Sequence, residues 1–135
     1  MTTTTLTRTA TDTLLRTVLR LDAIASGAIG AAFLAAAGTL REHLGTPTAL
    51  TRGTGAFLVA YAVFVWFVST RPTAGLVGLV IGLNLFWVVD SVVYAVADDG
   101  LTALGVAFTL AQAAAVLGFA ALEYLGLRRA RRIVK

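Results

Sequence analysis

Apolar residues run in four long blocks separated by short polar breaks. A membrane-crossing helix needs about 20 mostly apolar residues to cover about 30 Å of hydrocarbon. Four stretches meet that length: Leu21–Leu40, Gly53–Thr70, Gly75–Ala97 and Leu101–Leu125. The breaks have turn chemistry. Arg71-Pro72 stops the second block, because proline disfavours helix at the residue before it. Asp98-Asp99-Gly100 reads as a tight polar turn. Arg41–Arg52 is the longest link; it carries Pro47, and a short interfacial helix is expected over Ala49–Arg52. Because lipid offers no hydrogen-bond partner to the backbone, each block must be a helix. The expected fold is all-α, an antiparallel four-helix transmembrane bundle occupying residues 21–127.

Composition agrees. Of 135 residues, 58% are hydrophobic and 13% charged, about half the charge of a typical soluble domain. There is no Cys and one His, His43. Thiolate metal sites, disulfides and a Cys nucleophile are excluded, and His43 beside Glu42 is read as a solvated loop residue. No GxSxG, HExxH or phosphate-loop motif occurs. Asp98-Asp99 lacks the further oxygen ligands that a cation needs. The sequence assigns no catalytic and no metal residue and leaves the cofactor open.

The charge pattern sets an orientation. Nine of the eleven basic residues fall in the N-terminal arm (1–20), the Arg71 link or the tail (128–135), and only Arg41 and Arg52 lie on the other side. Loops rich in Lys and Arg stay in the cytoplasm, so both termini are expected there, in a multi-pass plasma-membrane protein. The basic tail then meets anionic headgroups rather than nucleic acid. Arg16, Arg20 and the following apolar run also resemble a secretory signal. Pairing of four spans into hairpins favours a retained first span. The Thr-rich start is expected to be mobile, with Asp12–Arg20 forming an interfacial helix whose apolar face is Leu14, Leu15, Val18 and Leu19.

Small residues supply the packing surfaces, since apolar burial cannot drive association within lipid. Candidates are Ser26-x-x-x-Gly30, Gly78-x-x-x-Gly82 and the row Ala107, Ala111, Ala114, Ala115, Gly118. Their expected use is helix packing within the chain; a homodimer seam is the other reading.

The third block carries the chemistry. At about 100° per residue, Asn84, Trp87, Asp90, Ser91 and Tyr94 fill a sector of about 120°, expected to face the interior. Val80, Leu85, Val89, Val92 and Val96 are assigned to lipid. An unpaired carboxylate at Asp90 would cost about 2.5–3.5 kcal/mol on insertion scales. Arg52, snorkelling inward, is its expected partner. Gln112, Tyr61 and Thr109 could extend one interior hydrogen-bonded network. Three readings stay open: a structural clasp, a ligand pocket, and a proton or cation path. Asp22 and Glu123 read as headgroup-level charges, paired with Arg16, Arg20 or Arg128. Trp66, Phe67 and Tyr124 read as interface anchors.

The overall layout resembles small four-span integral membrane proteins of actinobacteria. The likeness rests on Arg20-Leu21-Asp22, Thr51–Ala62, the Asn84/Trp87 pair and Gly126–Arg129; in size it is loosely similar to DoxX-like proteins. That group carries no established activity, so no functional residue follows from it. Two functional classes remain. One is a non-enzymatic membrane protein binding a lipid- or quinone-like ligand, or serving as a helper subunit. The other is a small proton- or ion-coupled carrier using Asp90 with Arg52.

Overall fold

The computed structural model describes the backbone of residues 2–134 and the side chains of residues 13–130. Among these the chain is helical with short links: α1 (Thr2–Ala35), α2 (Ala37–Leu44), α3 (Thr48–Thr70), α4 (Ala74–Ala97) and α5 (Ala103–Val134). Four helical stretches are long and apolar enough to cross a membrane: Thr13–Ala35, Thr48–Thr70, Ala74–Ala97 and Ala103–Ala130. The protein is an all-α, multi-pass membrane protein.

The helices pack as two intimate pairs, α1 on α3 and α4 on α5, joined mainly along α1 and α5; α3 and α4 touch at few backbone positions. The α1–α3 pair closes through two glycines. A Cβ on Gly30 would lie 2.8 Å from the Gly55 carbonyl oxygen, and one on Gly55 would lie 2.8 Å from that of Gly30. Absence of both side chains brings the two backbones together, the packing device of helices in lipid.

Three expectations about the spans change. The first span does not begin at Leu21. Leu15, Val18 and Leu19 are buried in the bundle, so the Asp12–Arg20 stretch continues α1 inward instead of lying on the interface. Arg16 and Arg20 are exposed, and Arg20 sits 5.5 Å from the ring centre of Trp66. Their long stems let the charges leave the bilayer while the apolar face stays in it. The side chains of the Thr-rich start lie outside the described residues. At its far end α1 stops at Ala35, and the helix in the loop is α2, upstream of the expected Ala49–Arg52 turn. Pro47 lies just before α3, where its fixed φ and missing N–H suit a helix start.

α2 is a bracket. Gly45 ends it at φ 78°, a left-handed cap that glycine adopts without strain. The Thr102 amide and hydroxyl then donate to the carbonyls of Leu44 and His43, at 3.0 and 2.7 Å. The start of α5 is thereby pinned to the end of α2. Elsewhere the breaks fall as expected: Thr73 caps α4 by accepting from the Leu76 amide, and Asp98 accepts from the Gly100 amide at 2.7 Å.

Packing faces also differ from expectation. A Cβ on Gly75, Gly78, Gly82 or Gly118 would meet nothing within 4 Å, and Ala107, Ala111, Ala114 and Ala115 are exposed. α5 instead buries Gly105, Ala113, Ala120, Glu123, Gly126 and Leu127. Val80 is fully buried, not lipid-facing. The wheel explains it: four residues back from Asn84 is a rotation of about 40°, inside the polar sector. Leu85, Val89, Val92 and Val96 are exposed, as a lipid face requires.

Candidate functional site

The two ends of the bundle are built differently. Toward the termini, Leu15, Leu19, Val65, Val68, Val77, Val80 and Leu127 form a fully closed apolar core. Toward α2 the helices stand apart around a cavity of about 180 Å³, walled by Phe33, Leu44, Leu58, Trp87, Tyr94 and Phe108. A second cavity, of about 150 Å³, lies between α3 and α4. Ser26, Leu58, Trp87, Asp90 and Val116 line both, so the two adjoin. Offset ring stacking between Phe57 and Trp87, with centroids 6.2 Å apart and planes 3° from parallel, bridges the seam between α3 and α4.

The polar residues of α4 divide between two networks. Toward α2, the Trp87 indole donates to Gln112 Oε1 at 2.7 Å. Gln112 Nε2 in turn donates to Ser91 Oγ at 3.0 Å and to the Thr109 carbonyl at 2.8 Å. These bonds fix Gln112 in the α4–α5 contact. Deeper in, Asn84 joins a different set. Its amide donates to Asp22 Oδ2 at 3.1 Å and to Glu123 Oε1 at 2.8 Å. Tyr61 Oη lies 2.6 Å from Asn84 Oδ1 and 3.1 Å from Asp22 Oδ2. Ser26 Oγ donates to Asp22 Oδ1 at 3.2 Å. All four spanning helices contribute to this second set. The single network expected from the sequence is therefore two, because Asn84 and Ser91 are separated by two turns along α4.

Asp22 and Glu123 overturn the headgroup reading. They are 2% and 0% exposed. Asp22 lies nine residues inside Thr13–Ala35, and Glu123 seven inside Ala103–Ala130. Neither is ion-paired to Arg16, Arg20 or Arg128 among the described residues. Arg20 and Arg128 look like span boundaries in the sequence, but both helices run on past them. A usable signal was present: both acids fall at helical spacing from buried apolar residues, Leu15-Leu19-Asp22 and Ala120-Glu123-Leu127.

Asp90 is the converse case. It is exposed at the edge of the polar sector, and no hydrogen bond or ion pair joins it to Arg52 among the described residues. Arg52 is exposed at the start of α3 and lines neither cavity. The expected pair does not form: the Arg52 side chain leaves toward the surface, as Arg16 and Arg20 do at the other end. The Asp90 carboxylate stands at the mouth of both cavities. No group of three or more metal-ligating side chains occurs among the described residues. Comparison with family models, curated proteins and solved structures returns no match.

Proposed function

We propose that this chain is a non-enzymatic plasma-membrane protein, both termini cytoplasmic, that holds a small amphipathic molecule in the hollow half of the bundle. The observation that supports this is the Asp90 carboxylate, without an ion pair among the described residues, at the mouth of an aromatic-walled cavity. Apolar walls receive an alkyl or aromatic body. A carboxylate next to Trp87 attracts a cationic or hydrogen-bond-donating end, through charge and through the ring face. A quinone-like ligand fits less well, since its carbonyls need donors and the Trp87 N–H is already committed to Gln112. The narrow α3–α4 contact offers entry from the side. In this orientation the exposed Arg128 and Arg129 meet the anionic inner leaflet. The carrier built on Asp90 with Arg52 loses support, because that pair is not assembled.

Trp87 and Trp66 are the two tryptophans of the chain. In a Trp66→Phe background, fluorescence reports on Trp87 alone. Titration in nanodiscs with octylammonium should change that fluorescence saturably, octanoate should not, and Asp90→Asn should remove the difference. Equal responses to the two probes would refute the assignment of Asp90.

A further inference from the structure

The deep set of hydrogen bonds is short of one proton. Ser26 has one hydrogen to give, Tyr61 one and Asn84 two. Ser26 spends its hydrogen on Asp22 Oδ1, and Asn84 spends both on Asp22 Oδ2 and Glu123 Oε1. Asn84 is oriented with its amide nitrogen toward both carboxyls and its carbonyl oxygen toward Tyr61. Tyr61 makes its shorter contact, 2.6 Å, with Asn84 Oδ1. The 3.1 Å contact between Tyr61 Oη and Asp22 Oδ2 then has no hydrogen of its own. Glu123 Oε2 is buried with no partner among the described residues.

Charge leads to the same place. Asp22 and Glu123 each lie within about 3 Å of one nitrogen, Asn84 Nδ2, so the carboxyls are neighbours in the middle of a membrane bundle. Carboxylates in such a place are paired or neutralised. The groups facing them are Ser26 from α1, Tyr61 from α3 and Asn84 from α4. None is a cation. Arg16 and Arg20 are exposed, and Asp90 lies farther along α4 at the cavity mouth. Asn84 Nδ2 stands between the acids, within hydrogen-bond distance of both.

We propose that Asp22 and Glu123, bridged by Asn84, form one proton-binding site. It opens through Ser26 toward the α2-end cavities and is sealed by the apolar core at the other end. Ser26 is the connecting residue: it lines both cavities and donates to Asp22. Tyr61 and Asn84 line the second cavity. On the opposite side Leu15, Leu19, Val65 and Val77 are fully buried, and the buried Ser69 hydroxyl there is held by the Trp66 carbonyl of its own helix. The site has access from one face of the bundle. This inference goes beyond the amphiphile reading and stands without it.

The test is infrared spectroscopy of the full chain in nanodiscs, which reads the C=O stretch of a protonated carboxyl directly. The unmodified protein should show that band at neutral pH, and Asp90→Asn should keep it. Glu123→Gln and Asp22→Asn should each lose it. Should either variant fail to fold, isotope labelling decides in the unmodified protein. The chain has two glutamates, Glu123 and the exposed Glu42, so ¹³C-glutamate shifts a band held on Glu123, and ¹³C-aspartate shifts one held on Asp22. Ser26→Leu should slow the D₂O-induced shift of the band. Absence of the band at neutral pH would overturn the proposal. So would its disappearance in Asp90→Asn, which would place the proton on the cavity-mouth acid. A band absent at neutral pH together with sodium-dependent thermal stability would give the site to a cation instead.

Discussion

Replacing Asn84 by alanine removes the residue on which the deep network converges. Three contacts vanish together: two amide donations, at 3.1 and 2.8 Å, and the acceptance from Tyr61 at 2.6 Å. Interhelical hydrogen bonds within membranes measure about 0.6 kcal/mol on average and up to about 1.7. Three of them give a loss of about 2–5 kcal/mol on that scale. The upper half of the range is expected, since the substitution strips two buried carboxyls of a donor and acceptors left unsatisfied add their own penalty. For a chain of this length that corresponds to a fall in melting temperature of about 10 °C or more. Thermal unfolding in nanodiscs, followed by circular dichroism, reads it. A cycle with Tyr61→Phe should show coupling of at least about 0.5 kcal/mol, because the two side chains share a bond. Val96→Ala is the control, as that side chain is 81% exposed and lines neither cavity. If Asn84→Ala melts within about 0.5 kcal/mol of the unmodified protein, the size of an ordinary surface substitution, the network does not hold the helices together.

Other outcomes follow from the same packing. Gly55→Ala should cost about 1–3 kcal/mol, as overpacking does, because its Cβ would lie 2.8 Å from the Gly30 carbonyl oxygen and 2.9 Å from Phe33 Cβ. Gly78→Ala and Gly82→Ala should leave the melting temperature of the monomer unchanged or slightly higher, since alanine favours helix; a crosslinking assay that showed loss of a dimer would instead assign those glycines to a seam between copies. Gln112→Leu removes the bonds to Trp87 and Ser91 and should cost about 1–2 kcal/mol, with a blue-shifted Trp87 emission in the Trp66→Phe background as the second readout. Gly45→Ala should loosen the α2 bracket, both through its positive φ and through collision with the Gly100 carbonyl. Hydrogen exchange at the Thr102 amide would report it.

Span number, turn positions and the lipid-facing side of α4 from Leu85 to Val96 were legible because they rest on length and composition. Depth was not legible, because arginine is a poor ruler of it. Arg20 sits inside the boundary of a helix that buries Leu15 and Leu19, so a charge count along the chain misplaces Asp22 by about two turns. The same holds for Arg52, whose side chain is exposed and does not reach Asp90. A long side chain conceals how deep its own backbone lies, and a sequence carries no record of which way it reaches. The glycine motifs failed differently. Gly78-x-x-x-Gly82 has the formal pattern but nothing facing it, while the pair that packs, Gly30 with Gly55, comes from two helices and has no local signature. Among candidate site residues, Asn84, Ser91 and Tyr61 are buried, Trp87, Tyr94 and Gln112 are partly buried, and Asp90 and Arg52 are exposed.

Spatial order in this bundle departs from chain order: α3 leans on α1, α4 on α5, and the short link at 71–73 joins two helices whose backbones approach at few positions and which meet through side chains. During insertion, α4 therefore emerges with Asp22 and Tyr61 already available to Asn84, but without α5, its main packing companion. α5 follows the other four helices in chain order, and it delivers Glu123 to the interior. A chain stalled or cut before α5 would carry a half-made molecule with one solid pair and one orphan, a natural target for membrane quality control.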